Sequence, residues 1–264
     1  ESPALSPQRP HTTSSGGYTA TTICALHPHK NGRAITDDFG AVPLPEMGPM
    51  LDILPGDAVP AIYIRDGQRH GHYFQWGLVP QWAQDPSIGK KLINARSETL
   101  TEKPSFRGAV RYRRCILPAS GFYEWKGPKG SKVPHLIRRS NGKTLAMAGL
   151  YEVWERGEGY LETCTIVTCA ANDEVSELHD RMPVILEGSA VEAWLDKRLT
   201  QPERLVPLLQ PLRPGGLESL PFDPRGSREN KAKGTPDLDA WMDSLESEAR
   251  AKKKQSAEQG SLFD

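Results

Sequence analysis

TLAMAGLYEVWERGEGYLETCTIVTCA, residues 144–170, is the stretch whose reading settles the fold class. Its two runs, TLAMAGLYEVW (144–154) and YLETCTIVTCA (160–170), are rich in β-branched and aromatic residues, and turn residues part them, so both read as strands. The same texture repeats upstream in AVPAIYI (58–64), HYFQWGLV (72–79), RCILPAS (114–120) and HLIRR (135–139). Asp66-Gly67 and Asn141-Gly142 fall between such runs and predict hairpin turns. Helices are fewer: 172–178 with Asn172 or Asp173 as cap, 189–195 with Trp194 on its apolar face, and 201–209 with Pro202 in the first turn. Many short strands with few helices predict an α+β chain that is predominantly β, barrel-like or sandwiched, with peripheral helices.

Around this core the texture changes. Residues 1–45 are rich in Ser, Thr, Pro, Gly and His without a period of two or 3.6, and read as poorly ordered. Residues 46–234 read as the folded domain, and 235–264 as a polar, flexible tail. The balance of 33 basic and 33 acidic residues argues against nonspecific coating of nucleic acid. No apolar run is long enough to span a membrane, and the opening ESPALSPQRP holds no apolar core of a secretory leader. Four cysteines (24, 115, 164 and 169) show no C-x-x-C pair, so neither a metal site nor a disulfide scaffold is expected, nor any cofactor. A reducing cytoplasm follows as the expected compartment.

Four clusters mix apolar strand residues with polar groups at turns: WGLVPQWA (76–83), INARSET (93–99), RRCILPASGFYEW (113–125) and ELHDRMPVIL (177–186). Asn94, Arg96, Glu124 and His179 have the widest chemical range among their polar members: an amide to hold a hydroxyl, a fork to grip phosphate, and a proton-transfer pair. Each also has a plain reading. Glu124 reads as a surface carboxylate at a strand end, His179 as a helix C-terminal residue, Asn94 as a turn former, and the aromatics as core. Between Lys90 and Arg114 eight cations face only Glu98 and Glu102, which fits either a phosphate-tracking groove beside Trp82 and Phe106 or a solvated face.

In order and spacing these clusters, together with AGLYE (148–152), resemble the SRAP family, the SOS response-associated peptidases or abasic-site processing proteins, over roughly residues 50–225. The resemblance implies a barrel-like core with a groove for single-stranded DNA. It also implies a covalent thiazolidine formed with an abasic site by an N-terminal cysteine whose amine and thiol both react. Carried onto this chain, Asn94 would orient the sugar or amine, Glu124 would serve as general acid and base with a raised pKa, and His179 would assist proton transfer. Arg96 would hold a flanking phosphate, Trp82 would stack on or wedge against a base, and Lys103 and Arg181 would contact DNA.

The family pattern opens Met-Cys-Gly-Arg. Here the cysteine upstream of the Pro55-Gly56 turn is Cys24, followed by Ala25-Leu26, so its amine would be free only after cleavage behind Ile23. The C-terminal signature is also degraded at PFDPRGSRENKAKG (221–234). The expected protein therefore binds abasic single-stranded DNA and crosslinks poorly. The alternatives are a non-crosslinking DNA binder, a clamp-associated module, or a cysteine peptidase using Cys169 and His179. The terminal QGSLFD resembles the peptide that docks bacterial proteins on the sliding clamp, with Leu262 and Phe263 as apolar anchors and Gln259 as polar contact. A monomeric, cytoplasmic, nucleoid-associated bacterial protein is expected.

Overall fold

Asp66 and Gly67, with φ of 50° and 76°, turn the chain back on itself in the left-handed region that a two-residue hairpin requires. They join β1 (Ala58–Arg65) to β2 (Gln68–Trp76), paired in antiparallel register from Ala58↔Gln75 to Arg65↔Gln68. The structure, a computed structural model, describes residues 32–44, 53, 55–126 and 133–221. Before the hairpin lies α1 (Gly32–Asp38); after it come β3 (Asn94–Arg96) and α2 (Ala109–Tyr112). There follow β4 (Arg114–Ala119), β5 (Gly121–Lys126), β6 (Val133–Arg139), β7 (Leu145–Arg156) and β8 (Gly159–Ala170). The chain continues through α3 (Asp173–Ser176), β9 (Arg181–Pro183), α4 (Ser189–Leu195), α5 (Pro202–Leu205) and β10 (Leu217–Pro221).

Neighbouring strands run β2-β1-β4-β7-β8, and β2 pairs back on β8 in parallel at Gln75↔Thr163 and Trp76↔Cys164. Five strands therefore close into a barrel, which removes the sheet's open edges. Side chains alternate, so one set from each strand fills the interior: Phe74 and Trp76, Cys115 and Leu117, Met147 and Tyr151, Cys164 and Ile166, all buried. Phe74 stacks on Tyr151 across this interior with ring centroids 5.0 Å apart. Helix α4 covers the outer face, where Trp194 donates its indole N–H to the Cys115 carbonyl at 2.9 Å. A second sheet, ordered β10-β6-β5, buries Phe122 and Ile137 against the same core. Strands β3 and β9 attach to the C-terminal end of β8, parallel at Asn94↔Ile166 and antiparallel at Ala170↔Arg181.

All six expected strands form, and Ser189–Leu195 is helical as read. Asn172 caps α3, its side chain accepting from the Val175 N–H at 3.1 Å. The run 113–125 divides: β4 stays in the barrel and β5 leaves for the second sheet. Asn141-Gly142 is not a hairpin turn, because β6 pairs with β5 and β10 whereas β7 pairs with β4 and β8; it links the two sheets. Within the stretch read as poorly ordered, α1 and the residues after it bury Ile35 and Leu44, and Val42 bridges to His70. Cys24 and the tail residues Gln259, Leu262 and Phe263 lie outside the described residues. Among the described residues no helix is long and apolar enough to cross a membrane.

Candidate functional site

Where β8 runs past the rim of the barrel, its two flanking strands bring the INARSET and HDRMP clusters together. Trp76 anchors the approach to β3 by donating its indole N–H to the Ile93 carbonyl at 2.8 Å. Asn94 follows, its amide oxygen buried and without a hydrogen-bond partner. A buried amide oxygen without a protein partner is open to accept a hydrogen bond from a bound group. Arg96, at the end of the strand, is exposed.

Arg181 reaches back across β8 toward this strand. Its Nη1 and Nη2 donate to the two carboxylate oxygens of Glu98 at 2.6 and 2.9 Å, and Nη2 also donates to the Thr168 carbonyl at 2.8 Å. The hydrogen bond and charge of Arg181, with the field of Arg96, hold the Glu98 carboxyl below its usual pKa. His179 precedes Arg181, whose backbone N–H donates to His179 Nδ1 at 3.0 Å. A backbone N–H can only donate, so the neutral ring carries its proton on Nε2. The exposed Asp180 carboxylate, 3.1 Å from Nδ1, pairs with that nitrogen only when the ring is protonated.

Glu124 comes from the second sheet. It shares a face of β5 with Phe122 and is 2% exposed, so the reading of it as a surface carboxylate is overturned. Two residues on, Lys126 Nζ meets Glu177 Oε2 at 3.4 Å, which ties the end of β5 to the turn that precedes His179. The groups expected to transfer protons therefore sit on elements that are joined to each other.

The crossing between β2 and α2 carries the expected DNA contacts. Trp82 is 54% exposed, unusual for an indole, and its N–H donates to the Pro104 carbonyl at 3.4 Å beside the exposed Lys103. Below it, Trp154 donates to the Ala83 carbonyl at 2.9 Å and the Val79 N–H donates to Thr163 Oγ1 at 2.9 Å, so barrel side chains fix the crossing. Lys90, Lys91, Arg96, Lys103, Arg107 and Arg111 are exposed and form the basic face.

Two cations of that stretch do not belong to it. Arg114 is buried, and its guanidinium donates to the carbonyls of Trp194, Val110, Arg111 and Asp196 at 2.5–2.7 Å. Burial lowers its pKa to about 10, which leaves it charged at neutral pH. Arg113 pairs with the buried Glu152 at 2.7 Å. Phe106 is core, so Trp82 has no partner there for a stacking platform.

Cys169 is buried and desolvation pushes its thiol up to about 11 despite the nearby Arg181, the opposite of what a nucleophile needs. In the sequence Glu98 stands out only as one of two acids, with Glu102, in a basic run.

A family model described as SOS response associated peptidase (SRAP) matches residues 23–225. The Bacillus subtilis (strain 168) protein called abasic site processing protein YoqW is 44% identical over 182 residues, covering 67% of this chain and 80% of its own. The Gallus gallus abasic site processing protein HMCES is 33% identical over 189 residues, covering 62% and 55%. A crystal structure of a protein from Bacteroides thetaiotaomicron superposes with a TM-score of 0.69 at 25% identity, covering 76% of this chain and 92% of that one.

Proposed function

The chain belongs to the SOS response associated peptidase family, and from that membership we propose that it processes abasic sites in single-stranded DNA. The observation that carries the reading is the buried, unpartnered amide oxygen of Asn94 at the rim where Arg96 and Arg181 converge. A ring-opened abasic sugar presents hydroxyls for that oxygen and phosphates for the arginines. The exposed Trp82 supplies an aromatic face beside the gap left by the missing base.

In this reading Cys24 is the candidate nucleophile, which a family match opening at residue 23 supports. Its α-amine adds to the C1′ aldehyde, and loss of water gives an imine. The thiol sulfur then adds to the imine carbon while its proton passes to the nitrogen, closing the five-membered thiazolidine. Glu124 protonates the leaving hydroxyl and takes up the proton of the amine. His179, with its proton on Nε2, donates to the sugar oxygen. Both amine and thiol must belong to one terminal residue, so an internal Cys24 reaches only a reversible hemithioacetal.

Intact-mass analysis after incubation with an abasic oligonucleotide tests this. A chain starting at Cys24 gains the oligonucleotide mass less one water, stable to denaturant. A chain that retains Ile23 binds without a stable adduct. An adduct of equal yield on both chains, or on neither, overturns the assignment of Cys24.

The same reading extends to the tail, where Gln259, Leu262 and Phe263 dock the protein on the bacterial sliding clamp and the basic face then meets exposed single strand.

A further inference from the structure

The anion that Arg181 grips in the free protein is one of its own side chains. Both carboxylate oxygens of Glu98 lie on the guanidinium, Oε1 on Nη1 and Oε2 on Nη2, in the bidentate fork that a phosphodiester also takes. The two sides of this pair are unequally exposed. The Arg181 side chain is 16% exposed and its Nη2 is also held by the Thr168 carbonyl, whereas the Glu98 side chain is 51% exposed. The arginine is thus set in the wall and the glutamate is the partner open to solvent. Glu98 stands two residues after the exposed Arg96, whose charge also acts on it.

We propose that Glu98 is an exchangeable internal anion, seated on Arg181 in the free protein and displaced by a phosphate of the bound strand; this rests on the reading of the rim as a groove for single-stranded DNA. Glu98 is half exposed, so water can take over its charge when the pair opens, whereas the largely buried guanidinium then needs the second anion that a phosphate supplies. The exchange also makes Arg181 selective. Binding replaces one bidentate anion by another, so the arginine adds little affinity for a strand that is loosely placed. A strand that does not fill the seat leaves Glu98 on Arg181, where the pair is neutral and the arginine holds no phosphate. Glu98 therefore acts as a specificity residue: it lowers affinity for undamaged single strand and spares a strand whose lesion lets a phosphate reach Arg181.

Equilibrium binding of a labelled undamaged oligonucleotide, and of one carrying a tetrahydrofuran abasic analogue, across a salt series tests the exchange. Glu98→Gln keeps the shape and removes the charge. It should bind the undamaged strand roughly three- to ten-fold tighter, with the slope of log K against log salt steeper by about 0.7, one more phosphate neutralised on a single strand. Glu98→Asp should keep the wild-type slope, and Glu98→Gln combined with Arg181→Gln should lose the gain. Weaker binding by Glu98→Gln at an unchanged slope, together with a lower melting temperature, would make Glu98 a permanent strut and overturn the exchange. Binding by wild type with no change in Glu98→Gln removes the exchange alone. Failure of every variant to bind either strand removes the groove and the exchange together.

Discussion

Glu124 and Arg114 are both buried charges, and their surroundings give them opposite meanings. Arg114 spends its donors on four backbone carbonyls that join α2, β4 and the end of α4, so its work is structural. Arg114→Ala leaves those carbonyls unpaired and should cost about 3–5 kcal/mol in a urea unfolding titration. Binding of oligonucleotide per folded molecule should not change. Glu124 sits buried in the second sheet, on the strand whose end at Lys126 meets Glu177 of the turn before His179. In a chain that begins at Cys24, Glu124→Gln should slow crosslinking by roughly 100- to 10,000-fold with noncovalent affinity preserved, read from denaturing-gel time courses beside equilibrium binding. The cysteines give a third test. Burial raises the thiols of Cys115 and Cys164 and pushes Cys169 up to about 11. At neutral pH none of the three should be alkylated on the timescale of an exposed thiol, and peptide mapping after brief iodoacetamide treatment checks it.

Between β2 and β3 the chain turns twice within a space that admits only glycine. Gly77 has a φ of 131°, and a Cβ there would lie 2.8 Å from the Gly89 carbonyl oxygen. One on Gly89 would lie 2.6 Å from the Gly77 oxygen. The two backbones touch, and the contact seats the segment that presents Trp82. Gly77→Ala adds backbone strain to the clash and should cost about 2–4 kcal/mol. Gly89→Ala meets the clash alone and should cost less, and both should weaken oligonucleotide binding through the displaced indole. The β3–β9 connection through Glu98 and Arg181 adds a pH dependence. The folded-state pKa of Glu98 lies below its ordinary 4.5, so the unfolded chain binds more protons as acid is added. Its contribution is complete above 4.5 and fades as pH falls through the folded value. The stability difference between wild type and Glu98→Gln should therefore shrink in acid and hold steady from mild acid to neutrality, as urea midpoints would report.

On the scale of the molecule, the barrel and the second sheet hold separate parts of the candidate site. The barrel rim carries Asn94, Arg96 and Arg181, the crossing carries Trp82 and Lys103, and β5 carries Glu124. Asn172 and Glu174 of the α3 turn hold the two bodies together, with Asn172 donating to the Leu212 carbonyl at 3.0 Å and Glu174 accepting from Gly215 N–H at 2.7 Å. The tail is a separate recruiting device in the proposed function. Replacing Leu262 and Phe263 with Ala should abolish binding to purified bacterial sliding clamp and leave oligonucleotide affinity unchanged, which surface plasmon resonance on both partners would measure.

Strands and turns were legible because they are written locally: alternation in AVPAIYI, β-branched density in YLETCTIVTCA, Asp-Gly at a two-residue turn, Asn172 before a short helix. Motif order alone was enough to point to the family. What local pattern could not carry was partnership at a distance. Nothing near Ser120 says that β4 and β5 part into different sheets, since that is decided by which strands are free to pair. Three-residue β3 and β9 have too little pattern to read, and exist because β8 extends beyond β7 and offers unpaired backbone. Charge was the least legible property. Arg114, Arg111 and Arg96 are the same residue type in one basic run, yet one is buried on carbonyls and two face water. The sequence by itself determined the longer strands, the family and a set of candidate site residues. Only the tertiary structure decided which charges are spent inside the fold, because desolvation and pairing depend on neighbours that the chain brings together from far apart.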